Sequence, residues 1–205
     1  MVNNVVVVGS GVMGRGIAYV SAVGGFNVKL VDIEEKALES AKTEINTIFD
    51  KGVKRNKISE EQKAKAQTRL TYRTDLTDAV FDADLVIEAV PEKIAIKKEV
   101  FETIDGHAPK HCLFATNTST MSPTELGSYT SRPEQVIAMH FFNPVHKIPL
   151  VEIARGLETS DQTADTIREV AEKMGKETVV VNEFPGFVTS RISALVGNEA
   201  FYMLQ

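Results

Sequence analysis

The sequence predicts an α/β fold, a doubly wound and mostly parallel sheet with helices on both of its faces. Two observations lead to this fold class: short apolar runs alternate with longer amphipathic segments, and the first apolar run ends in a glycine-rich turn. Strands are predicted at residues 5–9, 27–32, 83–90, 112–117, 136–142, 149–155 and 178–182. Helices are predicted at residues 12–24, 34–50, 93–106 and 161–174.

The composition limits the partners of the protein. The chain has 205 residues, 43% of them hydrophobic, and a net charge of −5, so its surface as a whole does not attract nucleic acid or an anionic membrane. Cys112 is the only cysteine, which excludes an internal disulfide, and His107 and His111 lack further ligands for a metal. With no basic leader and no run of about eighteen apolar residues, we expect a cytoplasmic protein without nucleic-acid or membrane partners.

The glycine-rich turn, in VVVVGSGVMGRGIA, follows the order strand, Gly-x-Gly-x-x-Gly, helix, and a second strand that ends in an acid. Gly9 permits the tight turn, Gly11 lets the backbone approach a pyrophosphate, and Gly14 allows close packing of helix on strand. Asp32 can accept hydrogen bonds from ribose hydroxyls and would repel a 2′-phosphate, which favours NAD over NADP. The alternative interpretation is a glycine-rich turn with a helix-capping acid.

Residues 50–70 form a segment with a basic character, for which the family resemblance given below implies a helical insertion. Between Asp50 and Arg69 this segment holds seven basic and three acidic residues, whereas the chain as a whole is acidic. Two interpretations stay open: a solvated helix face, or a docking site for a substrate that carries phosphate groups.

A histidine and a glutamate lie twelve positions apart in HFFNPVHKIPLVEIARG, residues 140–156. A buried imidazole beside a carboxylate is a proton-transfer pair, since imidazole titrates near neutral pH. The other interpretation makes His140 a core residue and Glu152 a solvated strand residue. This stretch alone does not decide between them.

The end of the chain predicts a change of domain. NEFPGF, residues 182–187, is typical of a linker, and the residues after it have helical spacing. The apolar face of this last helix has no predicted partner; it comprises Ile192, Leu195, Val196, Ala200, Phe201 and Leu204. We therefore expect one domain at 1–184 and, at 185–205, the first helix of an all-helical second domain that is largely absent.

With these segments placed, the chain resembles the short-chain 3-hydroxyacyl-CoA dehydrogenases, particularly the bacterial 3-hydroxybutyryl-CoA dehydrogenase group. The matching segments are GSGVMGRGIA, VIEAVPEKIAIKKEVF, FATNTSTMS, MHFFNPVHKIPLVEI and PGFVTSR, in the family's order. The resemblance implies a Rossmann-like domain that binds NAD. It also implies a helical C-terminal domain that forms a homodimer and covers the acyl-CoA substrate.

The resemblance also implies roles for individual residues. His140 matches the catalytic histidine, Glu152 the acid that pairs with it, and Ser119 a polar residue at the nicotinamide and the substrate. Ser119 could instead cap the following helix. Cofactor contacts are expected from Gly9, Gly11, Val12, Met13, Gly14, Asp32, Glu88, Ala89, Val90, Glu92, Lys93, Asn117, Ser119 and Asn143. Substrate contacts are expected from Ser119, Asn143 and Ser190, with Lys54 and Lys57 as the first candidates for the CoA phosphates.

One departure from the family bears on function. Ser190 stands in PGFVTSR where the family usually has asparagine, and serine is shorter and lacks the second end of an amide. The main hypothesis, which rests on the matching segments, is an NAD-dependent 3-hydroxyacyl-CoA dehydrogenase with His140 as general base and acid, oriented by Glu152. The alternative is an NAD(H)-binding module with little or no turnover, because the C-terminal domain is expected to be largely absent and Ser190 replaces the usual asparagine. A third hypothesis, a dehydrogenase of small hydroxy acids, is disfavoured by the basic segment.

Overall fold

A computed structural model of the protein describes residues 1–204. It contains one sheet of eight strands: β1 (Asn4–Val8), β2 (Asn27–Val31), β3 (Leu70–Arg73), β4 (Leu85–Glu88), β5 (Leu113–Thr116), β6 (Val136–Phe141), β7 (Leu150–Arg155) and β8 (Glu177–Asn182). The helices are α1 (Val12–Val23), α2 (Glu35–Lys54), α3 (Glu60–Thr68), α4 (Leu76–Val80), α5 (Ile94–His107), α6 (Pro123–Gly127), α7 (Asp161–Lys173) and α8 (Thr189–Tyr202). Within residues 1–204 no helix is long and apolar enough to cross a membrane.

The strand order shows at which edge of the sheet a ligand is expected to bind. The order is β3-β2-β1-β4-β5-β6-β7-β8, and all pairs are parallel except β6 with β7. The predicted mostly parallel, doubly wound sheet is therefore confirmed. The order reverses between β1 and β4, and a ligand of an open α/β sheet binds at the carboxyl ends of strands at such a point.

The core consists of two apolar layers, one on each face of the sheet. Side chains of a strand alternate between its faces, so Val5 and Val7 of β1 join one layer and Val6 and Val8 join the other. Helices α1, α2 and α7 cover the first layer and helices α4, α5 and α6 the second. A strand buried on both sides reads as a continuous apolar run, which explains the pattern VVVV.

Two strands differ from the sequence prediction. β3 was not predicted, because its four residues LTYR are only partly buried and show no long apolar run. β8 was predicted among the buried strands, which is wrong: Val179 and Val180 are 41% and 49% exposed. β8 is the last strand of the sheet. Although its residues are apolar, they therefore stay partly exposed within the described part of the chain.

Candidate active site

The three glycines make a backbone cradle at the start of α1. Gly9 has φ of +99°, and a Cβ on it would lie 2.6 Å from the carbonyl oxygen of Ala89. A Cβ on Gly14 would lie 1.7 Å from the carbonyl oxygen of Gly9, so only glycine lets the helix pack here. Gly11, by contrast, has no atom within 4 Å of its Cβ position. Gly11 thus leaves open space beside the first turn of α1, whose N–H groups can bind an anion.

Asp32 lies just after β2 and beside a cavity of about 770 Å³, which Gly9 and Val90 also line. Its Oδ2 accepts hydrogen bonds from the Ser10 N–H at 2.8 Å and the Ser10 hydroxyl at 2.7 Å. Burial raises the pKa of Asp32, but the hydrogen bonds from Ser10 and its neighbours outweigh burial and lower it. The cavity and the fixed anion fit the adenosine half of NAD. The contact of Ser10 with Asp32 was not predicted.

His140 and Glu152 face each other across the antiparallel pair of β6 and β7. The distance from His140 Nδ1 to Glu152 Oε2 is 2.8 Å, and both residues are buried. The rings of Phe142 and Phe187 lie 4.6 and 5.7 Å from the imidazole, centroid to centroid. Within residues 1–204 the Nε2 atom of His140 has no hydrogen-bond partner. The pair therefore has one orienting bond and one free nitrogen, as proton transfer requires.

Three further donors surround Glu152. Its Oε1 accepts from the N–H groups of Val188 at 3.2 Å and Thr189 at 3.0 Å, and its Oε2 accepts from the Thr189 hydroxyl at 2.9 Å. Burial raises the pKa of Glu152, but the hydrogen bonds from His140 and Thr189 outweigh burial and hold it below its ordinary value. The sequence indicated none of these contacts, because they join residues 36 and 37 positions apart.

The loop after β5 carries Asn117 and Ser119. Asn117 Oδ1 accepts a hydrogen bond from the N–H of Phe141 at 3.0 Å, which anchors the chain directly after His140. Ser119 is half-buried, and its hydroxyl has no partner among the described residues. The interpretation of Ser119 as a helix cap is wrong, because Ser122 caps α6 by accepting from the N–H of Glu125 at 2.9 Å.

A second buried ion pair lies behind this loop. Lys97 Nζ contacts both oxygens of Glu88, at 2.7 and 2.8 Å, and Oε2 of Glu92 at 3.1 Å. Thr116 donates its hydroxyl to Glu88 at 2.6 Å. Sequence reasoning missed Lys97, although it occupies the buried stripe of α5 with Val100, Phe101 and Ile104. Lys93, the lysine that was predicted, is exposed at the start of this helix.

The basic segment divides into two parts. Lys51, Arg55 and Lys57 line a cavity of about 590 Å³ beside α1 and the turn after β6, whereas Lys54 does not line it. Lys63 and Lys65 instead form ion pairs with Asp50 and Glu61, both at 2.7 Å. Lys63 and Lys65 thus fit a solvated helix face, whereas the docking of a phosphate-bearing substrate on the other part of the segment stays a prediction. Other cavity residues include Val12, Arg15, Asn143, His146 and Lys147, together with one acid, Glu44.

The remaining predicted residues lie around the same edge of the sheet. Val12 and Met13 begin α1, and Ala89 and Val90 follow β4. Ser190 lies in the first turn of α8 and is half-buried.

A glycine-rich cradle with an acid at the end of the second strand, next to a buried histidine–carboxylate pair, defines a nicotinamide-dependent oxidoreductase. The family model described as 3-hydroxyacyl-CoA dehydrogenase, NAD binding domain, matches residues 4–184. The chain belongs to this family, and its cofactor is NAD.

Individual relatives agree with this family. A probable 3-hydroxybutyryl-CoA dehydrogenase of Bacillus subtilis is 40% identical over 201 residues, which is 98% of this chain and 70% of the relative. The fatty acid oxidation complex subunit alpha of Idiomarina loihiensis is 45% identical over 186 residues, 91% of this chain but 26% of the relative. The crystal structure of (S)-3-hydroxybutyryl-CoA dehydrogenase from Ralstonia eutropha superposes with a TM-score of 0.95 at 39% identity, covering 100% of this chain and 72% of that one.

Proposed function

We propose that this protein oxidises (S)-3-hydroxyacyl-CoA, foremost 3-hydroxybutyryl-CoA, to 3-oxoacyl-CoA in a reversible NAD-dependent reaction. The observation that carries the proposal is the free Nε2 of His140, whose Nδ1 is held 2.8 Å from Glu152 at the edge of the sheet that also carries the glycine cradle. The relatives named for this activity support the same chemistry.

In this mechanism His140 moves the proton of the substrate hydroxyl. NAD bound in the cleft supplies the acceptor for the hydride that leaves C3 of the substrate. His140 accepts the hydroxyl proton at Nε2, while Glu152 fixes the tautomer and stabilises the charged ring. In the reverse direction the protonated His140 returns this proton to the developing alkoxide. The Ser119 hydroxyl, which has no partner within residues 1–204, donates to the substrate oxygen.

The basic cavity is the proposed site for the phosphates of CoA. It presents Lys51, Arg55 and Lys57 from one side and Lys147 from the turn after β6. Cations that converge from separate elements suit a ligand with several phosphate groups. Lys57 therefore stays a candidate for this contact, whereas Arg55 replaces Lys54 as the second one.

The exposed face of α8 supports the two-domain organisation. Ile192, Leu195 and Phe201 are 56%, 65% and 73% exposed, and a helix with such a face is stable when another element covers it. We expect an all-helical unit to cover this face, to enclose the acyl chain and to form a homodimer. Sedimentation of the intact protein at a series of concentrations tests the dimer, and a monomer at all of them contradicts it.

Loss of NADH absorbance on addition of acetoacetyl-CoA tests the activity. The His140→Asn variant should lose about 10²- to 10⁴-fold in turnover and bind NADH as before, since general acid–base catalysis is worth this much. His107→Asn is the matched control, because His107 lies exposed at the end of α5. Equal activity of His140→Asn and the wild type contradicts the assigned role.

A second candidate is a module that binds NAD(H) with little turnover. It is favoured by Ser190, half-buried in the first turn of α8, since serine is shorter than the family's usual asparagine and lacks the second end of an amide. Calorimetry with NADH, alongside the acetoacetyl-CoA assay, separates the two candidates. Tight NADH binding without any acetoacetyl-CoA-dependent oxidation favours the module.

A further inference from the structure

Thr189 makes two contacts with the Glu152 carboxylate. Its N–H donates to Oε1 at 3.0 Å, and its hydroxyl donates to Oε2 at 2.9 Å. Oε2 is also the oxygen that meets His140 Nδ1, at 2.8 Å. Thr189 and His140 therefore bind the same carboxylate oxygen, and neither can be moved without altering the bond of the other.

The chain reverses direction just before α8, and this reversal brings the first turn of the helix to Glu152. Gly186 and Phe187 both have positive φ, of 80° and 45°. For a non-glycine residue this conformation is strained, and it persists only where the surroundings enforce it. Phe187 is buried and its ring lies 5.7 Å from the His140 ring. The same reversal of the chain thus places an aromatic ring on His140 and the donors of Val188 and Thr189 on Glu152.

The surroundings of Glu152 contain one other titratable group within hydrogen-bonding distance, His140 on β6. On the other side, β8 pairs Val179 with Glu152, and Val179 carries no charge. α8 contributes only backbone N–H groups and the Thr189 hydroxyl. Among residues 1–204 the Thr189 hydroxyl is therefore the one side-chain donor besides His140 that holds this carboxylate.

We propose that Thr189 is a positioning residue of the reaction: its hydroxyl and the first N–H groups of α8 hold the Glu152 carboxylate ionised and oriented toward His140 Nδ1. Thr189 does not contact substrate or cofactor in this role; it acts through Glu152. The consequence for catalysis rests on the proposed function, whereas the effect on Glu152 itself does not. Since Thr189 in α8 and Val188, the residue just before this helix, together supply three donors to Glu152, the arrangement also couples the histidine–carboxylate pair to the position of α8.

Thr189→Val tests the proposal, because valine keeps the branched shape and removes only the hydroxyl. The measurement is the pH titration of the Glu152 carboxyl carbon by nuclear magnetic resonance, assigned by its absence in Glu152→Gln. We expect the pKa of Glu152 to rise by about half to one pH unit in Thr189→Val, since one donor to the charged form is lost. Thr189→Ser restores the hydroxyl and should restore the wild-type titration. Thr166→Val is the matched control, because Thr166 on α7 is also half-buried and donates its hydroxyl only to the backbone carbonyl of Gln162.

The catalytic consequence is read in the acetoacetyl-CoA assay. Thr189→Val should lower kcat by about three- to tenfold with KM for acetoacetyl-CoA unchanged, and Thr189→Ser should recover it. An unchanged Glu152 titration in Thr189→Val overturns the proposal, whether or not the protein turns over acetoacetyl-CoA. A shifted titration in a protein without turnover counts against the proposed function alone and supports the positioning role.

Discussion

Glu88 and Glu152 are two fully buried carboxylates at one edge of the same sheet, and each pairs with a basic side chain. Glu88 accepts from the Val90 N–H at 2.8 Å, from Lys97 on both oxygens and from the Thr116 hydroxyl. Lys97 is 1% exposed, and its Nζ contacts both oxygens of Glu88 and one of Glu92, so the three N–H groups of the ammonium are all engaged. Glu152 is satisfied just as fully, but the Nε2 of its partner His140 stays free within residues 1–204.

The comparison shows that burial and charge pairing alone do not identify a reactive site. Both carboxylates have hydrogen-bond donors at both of their oxygens, and the difference lies in the basic partner. All N–H groups of Lys97 are engaged, whereas His140 keeps one nitrogen, Nε2, that can exchange a proton. The Glu88 pair instead fixes the loop after β5, because Thr116 accepts from the Thr118 N–H at 3.3 Å. We therefore expect damage to one pair to reduce stability and damage to the other to reduce catalysis.

The largest effect is expected for Lys97→Met. Removal of one partner leaves Glu88 as an unpaired buried charge, which should lower the free energy of unfolding by about 3 to 5 kcal/mol. Urea denaturation measures this loss. The double variant Glu88→Gln with Lys97→Met removes both charges and should recover most of the stability. A single variant as stable as the wild type would contradict the structural role of this pair.

Glu152→Gln is expected to act mainly on catalysis. The amide cannot stabilise a charged His140 and cannot accept on both of its ends, so turnover of acetoacetyl-CoA should fall on the order of 100-fold. The affinity for NADH, measured by calorimetry, should stay within about twofold because Glu152 does not line the glycine cradle. Full activity of this variant would remove the distinction between the two carboxylates.

The next smaller effect is the loss of unfolding free energy at acid pH. The pKa of Glu152 is held below its ordinary value of 4.5, so the folded state binds its proton less readily than the unfolded state. Its contribution to stability is therefore complete above pH 4.5 and is lost as the pH falls through the folded pKa. The difference in urea stability between the wild type and Glu152→Gln should shrink below that pH. A difference that stays constant on acidification would contradict the lowered pKa.

The glycine cradle could be predicted because its signal is local: fixed glycine positions between a strand and a helix define the turn whatever the rest of the chain does. The spacing of His140 and Glu152 left two interpretations open, and only the family resemblance implied that the two residues pair. The catalytic role of His140 stays a prediction. β3 escaped prediction because a short edge strand needs few apolar residues.

Contacts that depend on tertiary packing could not be predicted in the same way. A lysine in a helix is expected to be solvated. Only the position of Lys97 on the same helix face as Val100 and Phe101 indicates that it is buried. Thr189 reaches Glu152 across 37 positions, and nothing in its spacing indicates this. Local patterns thus predicted the strands and helices around the site. The hydrogen-bond donors to Glu88 and Glu152 could not be predicted, because they are brought there by tertiary packing.

The last prediction concerns Lys176, a buried cation that has no carboxylate partner in the described residues. Its Nζ donates to the carbonyl oxygens of Val145 and of Ile148, the latter at 2.8 Å, and burial lowers its pKa from 10.5 to about 8. The folded state therefore holds fewer protons than the unfolded state between these values, so the free energy of unfolding should rise with pH across that window. Urea denaturation at a series of pH values measures the rise, and Lys176→Met should flatten it, whereas Lys173→Met, at the exposed end of α7, should not. The same slope in wild type and Lys176→Met would contradict the lowered pKa of Lys176.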